Sequence, residues 1–90
     1  MATLLLPRSL IALFPELPRR SEIPAATMAE LLERLDERHP GVRDRLTERS
    51  AHGVVIREHI NAYVDGQPAA IDTPLGPRSM VHIIPAVSGG

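Results

Sequence analysis

Thr27-Met28-Ala29-Glu30-Leu31-Leu32-Glu33-Arg34-Leu35 is the stretch around which the chain organises itself. Thr27 and Glu30 stand in the spacing of a capping box, where a hydroxyl and a carboxylate each satisfy a free backbone N–H at a helix start. Met28, Leu31, Leu32 and Leu35 follow at i, i+3, i+4 and i+7, which lines one side of a helix with apolar groups. Glu30, Glu33, Arg34 and Glu37 fall on other faces. His39-Pro40-Gly41 ends the helix, because proline disfavours helical geometry in the residue before it. A helix with a single apolar stripe has to cover something, and the flanking sequence supplies strands.

Upstream, Thr3 to Leu6 is a short apolar run closed by Pro7, and Arg19 to Pro24 is a second, partly alternating run. Between them Leu10, Ile11, Leu13 and Phe14 fit a helical turn or a continuing strand equally well. Downstream, Val42 to Arg49 offers one or two helical turns through Val42 and Leu46. Ser50 to Gly53 reads as a loop, and Val54 to Ile56 as strand or connector. Ile60, Ala62 and Val64 alternate with Asn61 and Tyr63, giving a strand with one apolar face. Asp65-Gly66 is a strong hairpin signal, and Gln67 to Ile71 returns as a short strand. Residues 72–77 form a compact turn, and Ser79 to Val87 is the last strand. Two hairpins with a helix between them on one face of a mixed sheet predict an α+β, ubiquitin-like β-grasp fold. A ferredoxin-like split βαβ is the alternative, but it requires a second full helix that only residues 42–49 are placed to provide.

Ninety residues make one domain, expected as a β-grasp body over 1–85 and a flexible tail over 86–90. A chain of this size buries about 60–65% of its unfolded surface. Phe14 and Tyr63 are the only aromatics, so the core is aliphatic, and little room remains for a deep substrate cavity with its supporting shell. Net charge is -1, which predicts no basic face and no nucleic-acid partner. Cysteine is absent, excluding disulfides, thiolate catalysis and cysteine–zinc sites. All ten basic residues are arginine, so no lysine side chain of this protein can accept an acyl group. No apolar run approaches the ~20 residues that span a bilayer. Leu4-Leu5-Leu6 has no charged segment before it and no cleavage pattern. The expected location is the cytoplasm, away from membranes.

Several side-chain groups invite a chemical reading. His39, His52, His59 and His82 match no metal-ligand spacing, and His82 is expected to point outward from the last strand. Glu30, Glu33, Asp36 and Glu37 read as a solvated helix face with a Glu30–Arg34 pair rather than as a catalytic cluster. Arg19-Arg20 is too short a basic spot for nucleic acid, and Tyr63 is expected to pack on the sheet with its hydroxyl at solvent. The sheet face near the last strand is the expected docking surface, with Ile60, Val64, Val81 and Ile83 as candidate apolar contributors.

The informative motif is the ending, Val81-His82-Ile83-Ile84-Pro85-Ala86-Val87-Ser88-Gly89-Gly90. A strand runs into two residues without side chains, the least hindered carrier for a terminal carboxylate that an enzyme could thread through a narrow channel. With Leu6-Pro7, the helix from Thr27, and Ile60-Asn61-Ala62-Tyr63-Val64-Asp65-Gly66, this ending resembles the ubiquitin-like sulfur carriers of the MoaD/ThiS family. It is most similar to a bacterial subgroup that includes the carrier for cysteine synthesis. The resemblance covers most of the chain, and the Pro-Ala-Val-Ser-Gly-Gly ending is its most specific part.

That resemblance implies a protein cosubstrate rather than an enzyme. An E1-like adenylating enzyme would use ATP to activate the Gly90 carboxylate, with Gly89 giving clearance. A sulfur donor would convert the acyl-adenylate to a thiocarboxylate, and an acceptor synthase in molybdopterin, cysteine or thiamine biosynthesis would take the sulfur. No cofactor is expected on the carrier itself. Two other readings share the residues: a ubiquitin-like modifier conjugated through Gly90, and a β-grasp interaction module with an idle tail.

Overall fold

The computed structural model of the chain describes residues 1–85. In chain order the elements are β1 (Ala2–Leu5), α1 (Arg8–Leu13), β2 (Arg20–Ile23), α2 (Met28–Arg38), α3 (Val42–Leu46), β3 (Thr47–Ser50), β4 (Gly53–Ile56), β5 (Ile60–Val64), β6 (Gln67–Pro68) and β7 (Met80–Pro85). Five strands form one mixed sheet in the order β2-β1-β7-β5-β6. β1 and β7 are parallel, and every other neighbouring pair in the sheet is antiparallel. This is the expected β-grasp plan, a ubiquitin-like mixed sheet grasping one main helix.

The helix α2 forms for the reasons its sequence states. Thr27 Oγ1 accepts from the Glu30 N–H at 3.1 Å. Glu30 returns the contact one residue earlier than the capping box prescribes, its Oε1 accepting from Ala26 N–H at 2.7 Å. Met28, Leu31, Leu32 and Leu35 are all buried, together with Leu4, Ile23, Val42, Leu46 and Val81. Each buried leucine contributes roughly 1.5–3 kcal/mol of apolar burial, and this cluster is the core that joins helix to sheet. The chain leaves α2 through Gly41 at φ +101°, where a side chain would be strained and would meet the Phe14 ring at 3.4 Å. Asp36 is not part of a solvated face. Its Oδ1 accepts from the Gly41 and Arg43 N–H groups at 3.0 and 3.1 Å and so caps the start of α3.

Asp65 and Gly66 take φ +51° and +83°, the two positive values that a tight two-residue hairpin requires. Asp65 also anchors β7: its N–H donates to the Met80 carbonyl, and its Oδ1 accepts from Met80 N–H, both at 2.9 Å.

Residues 8–13, which fit helix or strand equally well by pattern, are a helix that joins β1 to β2. Three expectations change. The 42–49 segment splits into one short helix and a strand. Ser50 and Gly53, expected in a loop, instead pair as the last rung of a separate β3–β4 hairpin. That hairpin escapes a periodicity argument because Glu48, Arg49, Ser50, Gly53 and Val54 are all exposed, leaving no apolar alternation to read. The return strand after the 65–66 turn is also shorter than expected, only Gln67–Pro68.

Candidate functional site

β7 is the central strand of the sheet, paired with β1 on one side and β5 on the other. It delivers the chain to Pro85, opposite Ile60 of β5. The expected tail over 86–90, with Gly89 and Gly90, lies outside the described residues, so the site is built here from the surface that surrounds the end of β7.

Register decides which side chains that surface holds. Val81 and Ile83 are 0% and 3% exposed and face α2, and Ile60 and Val64 pack against the same core. Val81 and Val64 therefore belong to the core rather than to the docking surface the sequence suggested, while Ile60 and Ile83 also border a hollow at the end of β7. The opposite face of β7 carries Met80, His82 and Ile84. Across the sheet the partners Arg20, Leu5, His82, Tyr63 and Pro68 form one continuous row. His82 does point away from the core, between Leu5 and Tyr63, and Ile84 is 44% exposed. Both parities of β7 are rich in apolar residues, so alternation alone could not choose between them.

Two hollows flank the end of β7. One, of about 340 Å³, is lined by Pro7, Leu10, Leu13, Ile60, Ile83 and Pro85, with Arg45, Arg57 and His59 at its margin. The other, on the sheet face, lies among Leu5, Leu6, Pro7, Arg19, His82 and Ile84. Arg57 is fixed in place: its Nε and Nη2 donate to the Asp44 carbonyl at 3.1 and 2.7 Å, and Nη1 lies 3.8 Å from Glu48. Arg45 makes no ion pair among the described residues. Leu13, half of whose surface is open, was not singled out from sequence; only the helical assignment of residues 8–13 brings it to this end of the sheet.

The four histidines lie on separate elements, and among the described residues no group of three His, Asp or Glu side chains is placed to hold a metal ion. Glu30 pairs with Arg34 at 3.8 Å as expected, whereas Glu33 reaches Arg43 of α3 at 3.7 Å. Both are solvent-exposed pairs of small energetic weight. Among the described residues no helix is long and apolar enough to cross a membrane. The central strand thus ends beside two partly apolar hollows, with guanidinium groups at their margins.

Solved structures share this architecture along the whole chain. CysO in a BexX/CysO complex from Amycolatopsis orientalis matches with TM-score 0.85 and 23% identity, covering 100% of both chains. CysO from Mycobacterium tuberculosis matches with TM-score 0.83 and 20% identity over 97% of this chain and 100% of that one. SAMP1 from Haloferax volcanii matches with TM-score 0.71 and 25% identity over 99% and 98%. No curated protein matches the chain. The ThiS family model matches residues 11–90, nearly the entire chain and both of its distinctive segments, the β5–β6 turn and the Gly-Gly ending. On that match, with the β-grasp topology beneath it, the chain belongs to the ThiS family.

Proposed function

We propose that this protein is a sulfur carrier whose reacting group is the Gly90 carboxylate. The observation that carries the reading is the family match over residues 11–90, which takes in Gly89 and Gly90. In the reaction, a Gly90 carboxylate oxygen attacks the α-phosphorus of ATP on an E1-like adenylating enzyme, and pyrophosphate leaves. A sulfur nucleophile from a donor then adds to the acyl carbon and displaces AMP, leaving a thiocarboxylate. An acceptor synthase receives that sulfur. The fold suits this division of labour. β7 pairs with β1 through His82 and with β5 through Pro85, and five extended residues reach at most ~17 Å beyond it. The body can dock through the Leu13, Ile84 and Pro7 surface while Gly90 enters the partner. The BexX/CysO complex supports docking on a partner protein as the working state.

The likeness to SAMP1, a small archaeal modifier protein, favours a second reading, conjugation to other proteins through Gly90. One experiment separates the readings. The protein is incubated with a cognate adenylating enzyme, ATP and sulfide, and its intact mass is measured. The expected product carries one oxygen replaced by sulfur, located by fragmentation in the final peptide. Deleting Gly90 leaves the unfolding midpoint unchanged and abolishes both the mass shift and ATP-dependent activation. A shift located elsewhere, or one that survives the deletion, refutes the carrier mechanism; covalent adducts on other proteins in place of the thiocarboxylate select the modifier.

A further inference from the structure

The sheet has two edges of unequal character. β6 is two residues long and contains Pro68, so it offers almost nothing to pair with. β2 is four residues long and lies on the other edge, bracketed by Pro18 and Pro24. Its register shows which backbone groups it leaves open. Arg19 carbonyl accepts from Leu6 N–H at 2.8 Å, which makes Leu6–Arg19 a hydrogen-bonded pair of the antiparallel ladder. Such pairs alternate along the ladder, so Leu4–Ser21 and Ala2–Ile23 are hydrogen-bonded as well, and β2 turns Ser21 and Ile23 toward β1. The N–H and C=O groups of Arg20 and Glu22 therefore point outward. One of these four is occupied: the Glu22 carbonyl accepts from Arg38 Nη1 at 3.4 Å.

Charge flanks this open ladder on both sides of the sheet. The Arg20 side chain lies on the outer face, in the row with Leu5 and His82, and Arg38 comes from α2 on the inner face. Arg19, Arg20 and Arg38 make no ion pair among the described residues; Glu22 lies two residues along β2 from Arg20, on the same outer face, and Glu37 adjoins Arg38 in sequence. Arg38 also borders a hollow of about 410 Å³ formed with Leu13, Phe14, Pro15, Glu16, His39 and Pro40, where Leu13 is 56% exposed. Strand addition draws affinity from main-chain hydrogen bonds and specificity from the side-chain surroundings of the edge; here the open groups of Arg20 and Glu22 supply the first, and the arginines with the neighbouring hollow supply the second.

We infer that the β2 edge between Arg20 and Arg38 takes an extended acidic peptide segment of another protein as a sixth strand. Arg38 swings from the Glu22 carbonyl to a carboxylate of that segment, and the incoming N–H replaces it on the carbonyl. The site is separated from β7 by β1, although Leu13 borders both its hollow and the one beside the end of β7, and it does not depend on the sulfur-carrier reading.

The test uses the full chain and a synthetic peptide of alternating valine and isoleucine followed by three glutamates, blocked at both ends. Amide shifts and slowed hydrogen exchange are expected at Arg20 and Glu22, with shifts at Arg38. Replacing the glutamates by lysines, or Arg38→Glu, is expected to weaken binding about tenfold, the effect of losing one charge-assisted hydrogen bond. N-methylating the peptide on its pairing edge abolishes it. Arg20→Pro removes an N–H that β1 does not use, so it is expected to abolish binding with an unchanged unfolding midpoint; if that variant unfolds, Arg38→Glu and the N-methyl peptide still decide. Shifts confined to Leu5, His82 and Tyr63, equal binding of the lysine peptide, or concentration-dependent dimerisation through β2 would each overturn the assignment.

Discussion

Replacing Leu31 by alanine tests whether α2 is the clamp that holds this sheet. Leu31 is 0% exposed on the apolar stripe of α2. The substitution removes three carbons, worth about 2.4 kcal/mol at ~0.8 kcal/mol for each. The cavity left in a close-packed aliphatic core adds to that, giving about 3–4 kcal/mol within the usual range for buried leucines. A chain of ninety residues has a total stability of roughly 5–13 kcal/mol, so this one change uses a large share of it. At about 4–8 °C per kcal/mol for a domain of this size, the melting temperature falls by about 12–30 °C. Leu13→Ala is the matched control, with the same atoms removed at a position 56% exposed, and is expected to lower stability by less than about 1 kcal/mol. Urea titrations followed by circular dichroism give both values from midpoints at constant slope. A Leu31→Ala loss below about 1 kcal/mol, or equal losses at the two sites, would refute the packing of α2 described above.

Thr27→Ala removes the side-chain acceptor for Glu30 N–H and is expected to cost about 0.5–2 kcal/mol, read from the same titrations. Gly66→Ala adds a Cβ that meets nothing within 4 Å but sits at φ +83°. The expected loss is therefore backbone strain alone, about 1–2 kcal/mol, and a Gly66→Asn variant, which tolerates positive φ better, should recover part of it.

Much of the fold is legible in local sequence because some of its decisions are local. The Thr27 cap and the Met28, Leu31, Leu32, Leu35 spacing specify α2 without reference to the rest of the chain. Asp65-Gly66 specifies its own turn, since few residue pairs accept two positive φ angles. These two elements, with the strand runs around them and the Gly-Gly ending, suffice to suggest the β-grasp plan and the family.

Other features belong to the tertiary structure because sequence leaves them degenerate. Residues 8–13 have an apolar pattern that suits helix or strand, and packing of Leu10 into the core selects the helix. β7 is apolar on both parities, so only its register against β1 and β5 buries Val81 and Ile83 and turns His82 and Ile84 outward. The β3–β4 hairpin buries only its Thr47–Ile56 end, too little to leave a periodic trace. The carboxylate of Asp36 becomes a cap only when the chain turns at Gly41, and Arg38 meets Glu22, sixteen residues away, only when α2 lies along β2. Propensity and spacing act over a few residues and are written in the sequence; burial and edge exposure depend on which distant segments become neighbours, and only the assembled sheet determines that.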